Sequence, residues 1–514
     1  MIGMMGVKGY GQIMFQKTYG GIGNDWGNSV RQTTDGGYII AGYTSSYGAG
    51  NNDVYLIKTN NLGDTLWTKT YGGIGDDEAN SVQQTSDGGY IIIGSTSSFG
   101  NGGTDVYLIK TDSIGDTLFT KTYGDSLDDV GYSVKQTLDG GYIISGSINC
   151  TGPGYGSIYL IKTTNTGDTL WTKIIDPSGN FTGNYWGLSI SQTSDGGYII
   201  SGITNILQKA AYLLKTDSVG NIIFIKSFIG VGNDFSYSIE QTFDGGYIIV
   251  GSRGDIGNGD VYIIKIDSSG NMIFTKAYGD NAYEVGKSIE QISDGGYIIV
   301  GATQSIDSSI DKIYLLRINQ VGDTLWTRII GESYTLCSGT SVHQTNDGGF
   351  IISGVREDTI SGVKVYLIKT DSNGYSGCYE TCKSLTVSIP SPTIFTPATQ
   401  VTYGGHVGYT TTQISNGVIV TSLCSNSDGI QEPSIIKSEI SLYPNPTSGT
   451  FTLSQLGKRN YKLGIYDVLG QEVYHLAIIN QESTIINLPQ LSNGVYFYQL
   501  SNSKETFRGK FVKE

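Results

Sequence analysis

The sequence returns seven times to one turn motif: Asp35-Gly-Gly-Tyr38, the same four residue types from Asp87, Asp139, Asp195, Asp244 and Asp294, and finally Asp347-Gly-Gly-Phe350. A period of about 50 residues lies in the range of propeller repeats and has to be recognised before any local reading. Before each turn stands a short strand, SVRQT from Ser29 and then SVQQT, SVKQT, SISQT, SIEQT, SIEQI and SVHQT, with Ser and Gln in every copy. After the turn comes GYIIAG from Gly37, then DVYLIKT from Asp53, then a second glycine turn at Gly63 leading into TLWTKTYGG. Each unit therefore reads as four antiparallel strands, a to d, joined by tight hairpins. In strands b and c the apolar residues run on without alternating, as expected where both faces of a sheet are covered.

The two ends of the array bear on how it closes. The seventh copy has strands a to c but no counterpart of TLWTKTYGG after Gly374, whereas the chain opens with GQIMFQKTYGG (Gly11 to Gly21), which aligns without a gap on Gly63 to Gly73. The expectation is an all-β fold: a seven-bladed β-propeller over residues 9–375, closed by an N-terminal outer strand that pairs near Tyr366, then a linker and a small C-terminal β-sandwich. Closure removes the exposed edge strand that an open array would carry. The c–d turn, with Asp112, Gly115 and Phe119 in one copy and Gly167 and Trp171 in another, resembles that of quinoprotein-type propellers. Turn geometry and packing account for these residues without a quinone.

Glycine contributes 74 of 514 residues, with 36 tyrosines and only 9 prolines, which suits many short strands and tight turns. A net charge of -14 argues against nucleic acid, which is bound by clustered Lys and Arg. No apolar run approaches the roughly 20 residues that cross a bilayer as a helix. The opening residues lack the charged start and apolar middle of a signal peptide, so the expectation is a truncated or misassigned start. His343, His406 and His475 are far apart in sequence, which gives little material for a metal centre or for acid–base work. Five cysteines (Cys150, Cys337, Cys378, Cys382 and Cys424) leave one odd thiol, with Cys378 facing Cys424 or Cys382 as alternative partners.

Residues present in every repeat are read as structural, which moves the search for function to the loops that differ. The d–a loops mix acids with aromatics, and Asp25, Trp26, Asp77, Glu78, Asp129, Tyr185, Trp186, Asp234, Phe235 and Glu284 are the candidate ligand-binding face. Rings would stack on sugar faces while carboxylates accept hydroxyl hydrogens, with calcium as a candidate aid. Adjacent acids such as Asp76 with Asp77, or Asp128 with Asp129, raise glycoside hydrolysis or lysis as an alternative. A structural adhesion component is a second alternative. Arg253-Gly254-Asp255 matches a short integrin-recognition sequence, and chance in a Gly- and Asp-rich chain explains it more simply. The expected reading is a binding scaffold for a polysaccharide or protein, without catalysis.

After residue 375 the repeat stops, and residues 376–437 turn rich in Ser, Thr and Pro, read as a linker with some strands. From residue 438 the chain has Tyr443-Pro444-Asn445-Pro446 with Gly449 and Phe451, then Asp467 to Gly470, then Leu491, Gly494, Val495 and Tyr496, and the closing Gly509-Lys510-Phe511-Val512-Lys513. In this order and place the motifs resemble the type A C-terminal sorting domain of the type IX secretion system of Bacteroidota. The resemblance implies partners in the secretion machinery and its sortase-like peptidase, removal of the domain, and a mature part that is released or held at the outer surface.

Overall fold

The computed structural model describes residues 12–150, 156–176, 185–205, 209–230, 232–254, 259–304, 310–358, 362–381, 386–395, 400–402, 406–409, 413–415, 419–424, 441–443, 450–467, 471–488, 490–502 and 506–513. It is all-β, with no helix among the described residues. Two compact units divide the chain, Met1–Asn426 and Ser427–Glu514.

The first unit is built of seven sheets, each containing one repeat. In the first, strand a is Asp25–Gln32, b is Tyr38–Thr44, c is Asp53–Thr59 and d is Thr65–Gly72. Strand c is buried at every position, which explains its unbroken apolar run. The two glycines of the a–b turn do different work. Gly36 has φ +81° with open space around it, so the backbone conformation alone selects glycine there; a Cβ on Gly37 would stand 2.1 Å from the Thr59 carbonyl oxygen. Asp35 completes the turn: Oδ1 accepts from Gly37 N at 2.9 Å, and Oδ2 lies 2.8 Å from Lys58 Nζ.

The seventh sheet takes its fourth strand from the start of the chain. Phe15–Gly20 runs antiparallel to Gly362–Thr370, with Thr18 opposite Tyr366 and Tyr19 opposite Val365. Phe15 and Tyr19 share one apolar cluster with Val30, Tyr38 and Ile40 of the first sheet and Ile351, Val365 and Leu367 of the seventh.

The repeated glutamine links each sheet to its neighbour. The side-chain oxygen of Gln84 accepts from Thr34 N, Gln136 from Ser86 N, Gln192 from Leu138 N, Gln241 from Ser194 N, Gln291 from Phe243 N and Gln344 from Ser293 N. The series returns on itself, because Gln32 of the first sheet accepts from Asn346 N of the seventh at 2.8 Å.

Residues 376–437 differ from the expected linker in a specific way. Each of the seven sheets has a fifth strand, and all seven come from Glu380–Cys424. Glu380–Thr381 pairs with strand d of the sixth sheet, Thr386–Ser388 with that of the fifth, Thr393–Phe395 with the fourth and Gln400–Thr402 with the third. His406–Tyr409 then joins the second, Gln413–Ser415 the first, and Ile419–Cys424 the N-terminal strand. The segment is a belt that pairs with every outer edge in turn. The compact unit accordingly ends at Asn426, some 50 residues beyond the last repeat. The Cys382 position and the Cys424 side chain lie outside the described residues, and the expected cysteine pairing with them.

In the second unit Ser441–Tyr443, Thr450–Tyr466, Glu472–Asn487, Gly494–Ser501 and Thr506–Lys513 are joined in one five-stranded ladder. Thr450–Tyr466 pairs with Glu472–Asn487, with register shifts between Ser454 and Arg459, Arg459 and Tyr461, and Ile465 and Tyr466. Phe451, Leu453, Leu463, Ile465 and Leu500 form its core.

Candidate functional site

The acidic residues expected to form a binding face are turned inward. Asp25, Asp77, Asp129, Asp234 and Glu284 are each 0% exposed, as is Tyr185, and all sit at or next to the start of a strand a. Asp25 accepts from Gly21 N at 2.9 Å and Ser46 Oγ at 2.8 Å, and also from Thr44 Oγ1. Asp77 repeats this with Gly73 N and Ser98 Oγ, and Glu284 with Asp280 N and Thr303 Oγ1. These carboxylates fasten the d–a loop to the end of strand b, and a ligand in solvent does not meet them. In the fifth sheet Arg253 replaces the threonine; its Nε lies 4.0 Å from Asp234, whose carboxyl burial pushes up to about 6. The same arginine lies over the Tyr262 ring at 5.3 Å, so the side chain of the Arg-Gly-Asp sequence points into the fold; Asp255 lies outside the described residues.

The neighbours of the buried acids are half-buried. Trp26 stacks on Tyr43 at 5.8 Å, Glu78 accepts from Asn52 Nδ2 at 3.3 Å, and Phe235 stacks on Tyr237 at 6.1 Å with Lys209 Nζ 5.1 Å above its ring. Trp186 lies opposite Ile203 in the same position of the fourth sheet. Paired acids do not act together. Asp129 is buried while Asp128 is exposed, because successive side chains on a strand point to opposite faces. That geometry does not present two carboxyls to one sugar linkage.

Further along the same strands the structure brings together residues the sequence reading did not single out. One cavity of about 210 Å³ is lined by the first strands of all seven sheets: Arg31 from the first, Ser81 from the second, Ser133 and Lys135 from the third, and Ser189 and Ser191 from the fourth. The fifth and sixth contribute Glu240 and Glu290 with serines and isoleucines, and the seventh Val342 and His343. The repeated serine, read as structural, is so in part: Ser29 Oγ accepts from Val82 N and Ser288 Oγ from Val342 N, each at 3.3 Å.

The charged residues all occupy the third position of the S-(V/I)-x-Q strand, which reads Arg31, Gln83, Lys135, Ser191, Glu240, Glu290 and His343 around the series. Here was the missed signal: one position changing charge inside an otherwise constant strand. Glu290 accepts from Gln344 N at 3.0 Å and lies 2.8 Å from His343 Nδ1. Glu240 accepts from Gln291 N at 2.6 Å through Oε2. Burial and the nearby Glu290 raise the Glu240 carboxyl to about 7, while burial and Arg31 lower the Lys135 ammonium to about 8. Among the described residues no group of three or more His, Cys, Asp and Glu is placed to hold a metal ion, and no helix is long and apolar enough to cross a membrane.

In the second unit, Gly494 and Tyr496 lie on one strand, and Tyr496 donates its hydroxyl to Ser492 O at 2.9 Å. Gly509 and Lys510 pair with Tyr498 and Phe497, and Tyr443 with Thr452. Pro444, Asn445, Pro446 and Gly449 lie outside the described residues.

Residues 441–514 match the family described as "Secretion system C-terminal sorting domain". The chain thus carries the sorting domain of Bacteroidota-type secreted proteins, which implies handling by the type IX secretion system and release or attachment at the outer surface. An endo-acting ulvan lyase of Formosa agariphila is 31% identical over 81 residues, which is 16% of this chain and 16% of the lyase. Among solved structures, Sqt1 from Chaetomium thermophilum matches 68% of this chain and 97% of its own at 10% identity and a TM-score of 0.38. The extracellular domain of the putative hybrid two component system BT3049 from B. thetaiotaomicron matches 95% of this chain and 98% of its own, at 10% identity and a TM-score of 0.27.

Proposed function

We propose that the first unit is a seven-bladed β-propeller that serves as a secreted or surface-held binding scaffold, without catalysis, and takes its ligand at the central cavity. The observation that carries this reading is the returning series of glutamine bonds, which joins Asn346 to Gln32 as it joins every other neighbouring pair. Seven sheets joined in a cycle leave a concave space bordered by the first strands of all seven, and clefts where a few polar and charged groups converge are where ligands are held. Half-buried Trp26, Trp186 and Phe235 lie on those same strands and suit a polysaccharide or protein ligand that reaches beyond the cavity.

The experiment is an array of glycans and matrix proteins probed with the full chain. Saturable binding that is lost in an Arg31→Ala/Glu290→Gln double variant supports the scaffold; no binding to any component removes the polysaccharide or protein ligand, and binding unchanged in that variant removes the cavity as its site. A polysaccharide lyase is the second reading, prompted by the short ulvan lyase match. Product formation from ulvan or a related uronate polymer would favour it.

A further inference from the structure

We propose that the cavity holds a small zwitterion, a free α-amino acid, seated over Ser191 with its carboxylate toward Lys135 and its ammonium toward Glu240. This rests on the cavity being a ligand site and assigns it a small ligand of its own, beside the polysaccharide or protein that the half-buried rings suit. The charges are sorted by sheet: Arg31 and Lys135 come from the first and third, Glu240 and Glu290 from the fifth and sixth. Between Lys135 and Glu240 the fourth sheet offers Ser191, the smallest side chain in the series, and so leaves a gap where its neighbours project long ones.

The groups facing this gap are incompletely used. Lys135 makes no hydrogen bond or ion pair with a described residue, and Arg31 uses only Nη1, toward Val30 O at 2.7 Å and Ser341 Oγ at 3.4 Å. Glu240 engages only Oε2. Charged groups withdrawn from bulk water are costly unless paired, yet these two oppositely charged groups share one cavity without bonding to each other. A ligand with both charges satisfies both, whereas a simple anion or cation leaves one unmatched. The hydroxyls of Ser189 and Ser191, both in the lining, supply further donors and acceptors.

The test is isothermal titration of the full chain with glycine, L-alanine, L-serine and L-glutamine, against acetate and methylammonium. Expected are binding of at least one amino acid, at least tenfold weaker binding of acetate and methylammonium, and at least tenfold loss in Lys135→Met and in Glu240→Gln. Ser191→Leu fills the gap and should abolish binding while the circular dichroism spectrum stays that of the parent. The inference is overturned if no amino acid binds, if acetate or methylammonium binds as tightly, or if all three variants bind like the parent. An array ligand lost in the Arg31→Ala/Glu290→Gln variant, beside no binding of any amino acid, would overturn the zwitterion and leave the scaffold standing. Silence in both experiments would overturn both.

Discussion

Tyr19 and Tyr71 occupy the same position in two strands d, one at the start of the chain and one well inside it, and a closed ring makes their loss equally costly. Both are 0% exposed. Tyr19 donates its hydroxyl to Gly63 O and Tyr71 to Gly115 O, each at 2.6 Å and each reaching the c–d turn of the next sheet. Tyr→Phe at either site leaves a buried carbonyl without its donor, at about 1–2 kcal/mol. Tyr→Ala also removes the ring and opens a cavity, at about 3–5 kcal/mol, the range for buried aromatic truncations. Equilibrium unfolding in urea, followed by tryptophan fluorescence, should place the Tyr19 and Tyr71 variants within about 0.5 kcal/mol of each other for each substitution. Terminal strands ordinarily fray, and in an open array the first strand would contribute little. If Tyr19→Ala costs under about 1 kcal/mol while Tyr71→Ala costs the full amount, the N-terminal strand does not complete the seventh sheet and the closure argument fails.

Three further outcomes follow from the geometry. Gly36→Ala should cost only the strain of a positive φ, about 1–2 kcal/mol, whereas Gly37→Ala, which drives a Cβ into Thr59 O, should cost clearly more; urea midpoints of the two variants decide the order. Replacing residues 380–424 by a Gly/Ser linker of equal length should uncover the outer edge of every sheet and increase concentration-dependent association over the parent by light scattering; association no greater than the parent's would show that the belt does not guard those edges. Glu240 is held near 7 in the fold against an ordinary 4.5, so the folded state binds its proton more tightly than the unfolded state. The contribution of this group should therefore be full below about pH 4.5, fall as pH rises, and level off above about 7, by on the order of 3 kcal/mol. Glu240→Gln should flatten that part of the profile, and an unchanged slope would assign it to other groups.

Strands b and c were legible because they are buried on both faces, so Tyr38–Thr44 and Asp53–Thr59 read as unbroken apolar runs. The origin of the missing fourth strand was legible from Gly11 to Gly21 because Phe15 and Tyr19 fill the same positions as Trp67 and Tyr71. The binding face was not. An acid such as Asp25 in a Gly-rich loop looks solvated by composition, and only the fold reveals that Gly21 N, Thr44 and Ser46 surround it. The cavity was hidden for the opposite reason. Lys135 and Glu240 lie in a strand whose constant Ser and Gln mark it as structural, and nothing local says that seven such strands face one space.

The belt had a signal of its own, at a period too short to be noticed beside the 50-residue repeat. Val387, Ile394, Val401, Val407, Ile414 and Val420 recur every six or seven residues, and each stands opposite the strand-d residue equivalent to Tyr71: Tyr278, Phe228, Ile175, Tyr123, Tyr71 and Tyr19 in turn. Six or seven extended residues reach at most about 25 Å, which bounds the distance between successive outer strands. The last step carries the weight. From Ile414 on the first sheet to Val420 on the seventh the belt uses six residues, no more than it uses between sheets adjacent in sequence. In an open stack that step would have to run back along the whole array, several times the reach of the chain. A spacing that stays constant where the sheet order jumps from one to seven is what a ring requires, and it supports closure independently of the glutamine bonds on the inside.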